Sequence, residues 1–268
     1  MGKSMPKHTF AVCAYKESPY LKDCIESLVN QEEKSDIIMC TSTPCEYIRK
    51  IAMEYNIPLY VREGKSDIKD DWNYAYNMAD ADFVTIAHQD DIYCKEYVSQ
   101  MFDTLEKCKT PEQVTIFLTD YLPLKETKGT KRDLNSKIRR LLRTPLKWRF
   151  LSRNRMIKRA ILAFGNSVCC PTVTYNKKKL GDNVFTSNYK FNIDWDTFYK
   201  LAGQEGMFAY KDEPLVFYRV HDGATSKEFI DNHLRLEEDT RMFNQFWPEC
   251  VTKLIMKFYT KAYDTYEN

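Results

Sequence analysis

The residues with the clearest chemical potential stand where short apolar runs stop. Phe83-Val84-Thr85-Ile86-Ala87 ends abruptly in His88-Gln89-Asp90-Asp91. Such a run, bounded by polar residues, predicts a buried strand, and in open α/β sheets ligands bind beyond the carboxyl ends of strands. Asp90 and Asp91 would offer hard oxygens to Mg²⁺ or Mn²⁺, which one or two carboxylates hold while a substrate diphosphate supplies further ligands. The same pair would equally cap the helix expected over 94–105. A second acidic group, Asp194-Trp195-Asp196, opens a helix whose Trp195, Phe198, Tyr199 and Ala202 mark a packed side. A carboxylate in a first helical turn is electrostatically favoured whatever else it does. Arg219-Val220-His221 begins a polar loop directly behind an apolar strand at 213–218.

The elements that must position these residues alternate. A strand at 8–15 leads to a helix at 18–31, where Ser18 is expected as N-cap and Leu21, Cys24, Ile25, Leu28 and Val29 recur at helical spacing. Strand 36–41, helix 45–55, strand 58–62, a polar linker at 63–69 and helix 70–79 precede the strand that ends at His88. Alternation of this kind argues for a parallel, doubly wound sheet. Beyond it come a strand at 114–119 with Asp120 at its end, an extended stretch at 168–175, and helix from 229 onward broken at Trp247-Pro248. In the last helix Val251, Leu254, Ile255, Phe258, Tyr259 and Ala262 form a stripe suited to core or dimer contact.

The 268 residues, 43% hydrophobic and 29% charged, have the composition of an ordinary globular protein. No apolar run approaches a membrane span, residues 1–8 lack the apolar core of a secretory signal, and the protein is therefore expected in the cytoplasm. Nine cysteines lack Cys-x-x-Cys or paired-His spacing, which argues against zinc or a disulfide framework. There is neither a Gly-x-Gly-x-x-Gly fingerprint nor a P-loop. Charge is uneven: residues 131–159 hold twelve Lys or Arg against Asp133 alone, a net +11, so the remainder of a chain of net +2 carries −9. Apolar residues interleave with those charges. The pattern fits a solvated basic helix, or a surface helix meeting anionic lipid at the inner face of the membrane or a phosphorylated acceptor. With no reader motif, nucleic acid is not an expected partner.

In this order and spacing the segments resemble the family 2 inverting glycosyltransferases of the GT-A fold. Residues 10–31 look like the family's opening strand and helix, with Tyr15-Lys16-Glu17 at the nucleotide-contacting turn. Trp72-Asn73 stands in place of the family's Arg-Asn, His88-Gln89-Asp90-Asp91 matches its metal region, Asp194-Trp195-Asp196 the segment supplying the base, and Arg219-Val220-His221 with Ser226 its late loop. The resemblance implies an α/β GT-A domain over 8–228: a mixed, mostly parallel, doubly wound sheet flanked by helices. Residues 8–93 would form its nucleotide-sugar half, 94–228 its acceptor half, and 229–268 a helical extension. It implies a Mn²⁺- or Mg²⁺-dependent transferase of surface-polysaccharide biosynthesis, moving a sugar from a nucleotide-sugar donor to a hydroxyl of a glycan or lipid-linked acceptor. Asp90, Asp91, His221 and His88 would be metal ligands. Ala14, Tyr15, Glu17, Thr41, Ser42, Asp71, Asn73, Gln89 and Arg219 would contact the donor, with Asp194 as base and Asp196 second. Two departures stand out. Cys40-Thr41-Ser42 replaces the acid that ends the family's second strand, and His88 replaces the first acid of the metal region. They keep a scaffold subunit of degenerate fold in view, and the paired carboxylates with a divalent ion would also suit a nucleotidyltransferase releasing pyrophosphate. A homodimer is a further expectation.

Overall fold

In the computed structural model, residues 6–108, 110–125, 129–130, 132–221 and 234–260 are described. Ser226 and the start of the expected C-terminal helix lie outside them. The first half alternates as its sequence pattern predicts: β1 (His8–Cys13), α1 (Leu21–Val29), β2 (Asp36–Thr41), α2 (Glu46–Glu54), β3 (Leu59–Val61), α3 (Ile68–Met78) and β4 (Phe83–His88). The strands pair in parallel in the order β3-β2-β1-β4. Register places Cys13 beside Cys40 on one flank and His88 on the other, so three strand ends line up along one edge. Because side chains alternate across a strand, Phe10 and Val12 bury against the layer containing Leu21, Ile25 and Ile48. Ala11, Val84 and Ile86 face a second layer with Tyr76 and Phe198. Burial on both faces explains why these strands read as continuous apolar runs. Each fully buried large apolar side chain contributes about 1.5–3 kcal/mol.

The second half is antiparallel where it joins the first. β5 (Ile92–Tyr93) is followed by α4 (Tyr97–Lys107), β6 (Val114–Lys125), β7 (Gly129–Thr130), α5 (Leu134–Arg143), α6 (Arg149–Ser152), α7 (Arg155–Ala160), β8 (Val173–Asn176), α8 (Lys177–Leu180), α9 (Ile193–Gly203), β9 (Met207–Val220), α10 (Leu234–Phe243) and α11 (Glu249–Tyr259). β8 lies antiparallel between β4 and β6, and β9 runs parallel to β6 with register shifts around Asp120. Only the end of the expected 168–175 stretch is strand, since 170–172 forms a 3-10 turn. The resulting mixed, mostly parallel sheet with helices on both faces is the doubly wound α/β architecture anticipated from the sequence. A hydrogen-bonded line from His8 Nε2 to Thr85 (2.8 Å), Thr174 (2.6 Å) and Tyr97 (3.0 Å) crosses its buried seam.

Residues 132–159 differ from a single solvated basic helix. Arg143 and Lys158 are fully buried. Arg143 pairs with Asp120 and also donates to Ser167 O, while Lys158 Nζ donates to Gln204 O at 2.9 Å and Gly206 O at 2.8 Å. Arg140 binds both oxygens of Asp212, at 2.8 and 3.0 Å, and Lys147 joins the same carboxylate. The counter-ions come from β6 and β9, distant in sequence. The apolar stripe of α11 also divides: Met256 is buried and Ile255 and Tyr259 half-buried, whereas Leu254 and Phe258 face outward and Ala262 lies outside the described residues.

Candidate functional site

The turn between β4 and β5 is held by β9. β5 has two residues, too few for any periodic signal, yet it pairs Ile92 with Phe217 and Tyr93 with Val216. Continuing along β9 brings Arg219 and His221 onto the acidic turn. The Arg219 backbone N–H donates to Asp91 Oδ1 at 2.9 Å and its Nε to the Asp90 carbonyl at 3.0 Å, while Nη2 reaches Asp23 on α1 at 3.1 Å. The guanidinium also lies over the Tyr20 ring, 4.3 Å from its centre. Asp90 Oδ1 accepts from Ser18 Oγ at 3.0 Å, and Oδ2 stands 3.2 Å from His221 Nε2. That nitrogen is buried without an aligned hydrogen-bond partner. Asp91 is different in kind. It is 1% exposed, burial pushes its carboxyl well above the usual range, and the Arg219 N–H pulls the other way. His88 stacks on Trp72 with ring centres 5.2 Å apart, and burial lowers it to about 4, so it is neutral at pH 7.

Among the described residues no group of three or more His, Cys, Asp or Glu forms a closed metal cage. Asp90 Oδ2 and His221 Nε2 instead make an open, two-atom edge. An edge of this sort fits Mg²⁺ or Mn²⁺, whose remaining positions are taken by water and substrate phosphate.

Asp194 sits in the first turn of α9. Its Oδ1 accepts from the Trp195 N–H at 2.8 Å and Oδ2 from Asn166 Nδ2 at 2.7 Å. Burial lifts its carboxyl to about 6, opposed by those two hydrogen bonds and by the charge of Arg139 on α5. Cys169 and Cys170 feel the charges of both Asp194 and Asp91, which brings α9 and the acidic turn to one neighbourhood. Asp196 is buried and paired with Lys200 at 2.8 Å. The start of α9 is fixed from outside the sheet: Glu238 of α10 accepts the backbone N–H groups of Lys190, Phe191 and Asn192 at 2.8, 2.8 and 3.0 Å.

Residues 9–185 match the family model described as glycosyl transferase family 2. The chain belongs to that family. Among solved structures, the fold of this glycosyltransferase is similar to that of S. aureus TarS 1-349, with 15% identity, a TM-score of 0.63, and coverage of 93% of this chain and 69% of that one. TarS 1-349 in complex with UDP-GlcNAc is 14% identical, with a TM-score of 0.57 and coverage of 93% and 70%. The mannosyltransferase PcManGT from Pyrobaculum calidifontis, in complex with GDP-Man and Mn²⁺, is 12% identical, with a TM-score of 0.62 and coverage of 91% and 64%. At these identities the likeness is one of fold. Comparison with curated proteins by sequence gives no match.

The other residues expected to contact the donor lie at the aligned strand ends and on α3. Ala14 continues β1, its N–H on Cys40 O at 2.9 Å, and Tyr15 and Glu17 are exposed beyond it. The Gln89 amide is engaged twice with the Tyr15 backbone, accepting from its N–H at 2.8 Å and donating to its carbonyl at 3.1 Å. Asn73 does the same to Phe185, at 3.0 and 2.8 Å. Both amides therefore shape loops. At the end of β2, Thr41 Oγ1 accepts from the Thr43 N–H at 3.0 Å, and Ser42 Oγ donates to Asp71 at 2.9 Å. Asp71 also binds Arg62 Nε at 2.6 Å and Ser66 Oγ at 3.0 Å. The first turn of α3 thus brings a carboxylate against the end of β2, whose own last residues carry none. Sequence reasoning missed Ser18 as a partner of Asp90: its hydroxyl takes the Tyr20 N–H at 3.3 Å while α1 begins at Leu21. Asn166 and Arg139 were equally silent, one being a loop residue and the other one arginine among many.

Proposed function

We propose that this chain is a metal-dependent inverting glycosyltransferase that transfers a sugar from a nucleoside-diphosphate donor to a hydroxyl of a glycan or lipid-linked acceptor. The observation that carries the reading is the Asp90–His221 edge at the end of β4 together with Asp194, a carboxylate held near 6 by burial and acting on the same two cysteines, Cys169 and Cys170, as Asp91 beside that edge. Asp90 and His221 would hold Mn²⁺ or Mg²⁺, which neutralises charge developing on the departing diphosphate. Arg219 fixes the acidic turn by its backbone and side-chain hydrogen bonds, and Ser18 orients the Asp90 carboxylate. Asp194, largely ionised at pH 7, accepts the proton of the acceptor hydroxyl as its oxygen attacks the anomeric carbon from the face opposite the leaving group. A base so positioned contributes on the order of 10²–10⁴ in rate. One displacement, with no covalent sugar intermediate, gives inversion. Asp196, buried on Lys200, is assigned no proton transfer.

The donor contacts are assigned to the strand ends: Ala14, Tyr15, Glu17, Thr41 and Ser42, with Asp71 in place of the missing second-strand acid. The acceptor side is assigned to residues 131–159, the setting being the cytoplasmic face of the membrane in surface-polysaccharide assembly. TarS with UDP-GlcNAc and PcManGT with GDP-Man and Mn²⁺ support a sugar-nucleotide donor. The test is product analysis on a panel of sugar nucleotides with Mn²⁺ or Mg²⁺. Release of nucleoside diphosphate that disappears in Asp90→Ala is expected. Pyrophosphate as product would establish a nucleotidyltransferase, and inertness toward every donor with metal would leave the scaffold reading.

A further inference from the structure

Helices normally turn apolar residues inward and charge outward, but α5 does the reverse. Its buried positions are Ser136 and Arg143, and its inner charges are satisfied by Asp120 and Asp212. Leu134 and Leu141 are 72% and 71% exposed and Ile138 lies between them, at the spacing of one helical stripe. The same surface segment continues with Trp148, Phe150 and Met156, exposed by 52, 73 and 80%. Interleaved with them are exposed Lys137, Arg149, Arg153, Arg155 and Arg159, none paired with a carboxylate among the described residues. Arg149 and Arg153 instead reach only the neutral Thr110 hydroxyl, at 3.2 and 2.7 Å.

We propose that this surface docks on an anionic lipid monolayer, with Leu134, Ile138, Leu141, Trp148, Phe150 and Met156 entering the headgroup boundary and the five cations meeting lipid phosphates. The inference rests on the assignment of residues 131–159 to the acceptor side and names its partner. Charge decides the occupant. A second copy joined through the same face would set like charges against each other, whereas an anionic monolayer accepts both the apolar side chains and the cations. Among the described residues no helix is long and apolar enough to cross a membrane, so the contact lies on the surface. Arg139, on the inner edge of α5, acts electrostatically on Asp194.

The experiment is co-sedimentation of the full chain with vesicles of phosphatidylcholine alone or mixed with phosphatidylglycerol. The wild type should favour the anionic vesicles by about tenfold or more and be released by salt. Leu141→Glu with Phe150→Glu should abolish binding, and Arg149→Gln with Arg153→Gln should weaken it. A thermal melt and the shift produced by nucleoside diphosphate report whether each variant is folded. Failure of the wild type to bind anionic vesicles overturns the proposal, as does undiminished binding by the folded Glu variant. Concentration-dependent dimerisation lost in that variant, without vesicle binding, would assign the face to a second copy. Retained diphosphate release without vesicle binding removes only the docking inference, whereas vesicle binding with no donor turnover removes the transferase reading and leaves the docking surface.

Discussion

Asp194 illustrates how one residue's surroundings set its chemistry. An exposed aspartate titrates near 4 and is a weak base at neutral pH, while burial lifts Asp194 to about 6. Transfer is therefore expected to rise with pH through about 6 and level off above it, provided that metal binding is saturated across the range. Arg139 favours the ionised form, so Arg139→Gln should move that limb to higher pH without changing its slope; an unmoved limb would assign it to another group. Asp194→Asn should cut the transfer rate by about 10²–10⁴ while leaving nucleotide binding intact. The sign of the stability effect is opposite to that of activity. Between its unfolded value of 3.8 and its folded value of about 6, Asp194 binds more proton in the folded chain, so its contribution to stability falls as pH rises through that window. Asp194→Asn sets an amide NH2 against the Asn166 or Trp195 donor, so it should melt below wild type, and by the linkage that deficit should be smaller at pH 7 than at pH 4. The acid before Trp195 could be read only as the first turn of an apolar helix, and its expected role as base came from the family resemblance. Asn166, which holds its other oxygen, belongs to no periodic pattern and could be found only in three dimensions.

At the scale of elements, positions depend on contacts that sequence spacing conceals. The C-terminal extension could be read as helix, yet its service to the site comes from two buried carboxylates, Glu238, which collects three N–H groups at the start of α9, and Asp239, which accepts from Asn192 Nδ2. Glu238→Ala leaves those donors without their acceptor, and each unsatisfied buried group costs about 1–3 kcal/mol. Its expected signature is a lower melting temperature together with a fall in kcat and little change in donor KM, because α9 carries Asp194 but not the assigned donor contacts. A change confined to donor KM would contradict that division. The basic segment teaches the complementary lesson. Its charge was plain in composition, but the inward half depends on Asp120 and Asp212, which lie 23 residues from Arg143 and 72 from Arg140. Arg143→Leu takes away the donor to Asp120 Oδ1 and to Ser167 O while Arg132 and Arg140 stay on Asp120 Oδ2, and should cost about 1–3 kcal/mol, whereas exposed Lys137→Ala should stay within about 0.5 kcal/mol. Chemical denaturation of the two variants checks the contrast.

Across the whole molecule, the proposed diphosphate site joins two differently built halves. The parallel strands β3-β2-β1-β4 deliver Tyr15, Ser42 and Asp90 along one edge, and their alternation with helices made that half readable from periodicity. His221 arrives through β9, a strand of 14 residues whose extent the pattern underestimated because Lys211, Asp212 and Glu213 interrupt its apolar run. The halves meet where Arg219 holds Asp90, Asp91 and Asp23. A nucleoside diphosphate bound with metal would add a second connection, from the β1–β2 edge to His221, available only to the folded chain. Binding of that kind stabilises by about 2.7 kcal/mol at a ligand concentration of 100 Kd. UDP or GDP with Mn²⁺ should therefore raise the wild-type melting temperature, and either component alone should do so far less. Both Asp90→Ala and His221→Ala should lose the Mn²⁺-dependent part of the shift, since each removes one atom of the open metal edge. If His221→Ala keeps the full shift while Asp90→Ala loses it, the metal is held from the first half alone and the imidazole serves only to pack against Tyr20, whose ring centre lies 4.8 Å away.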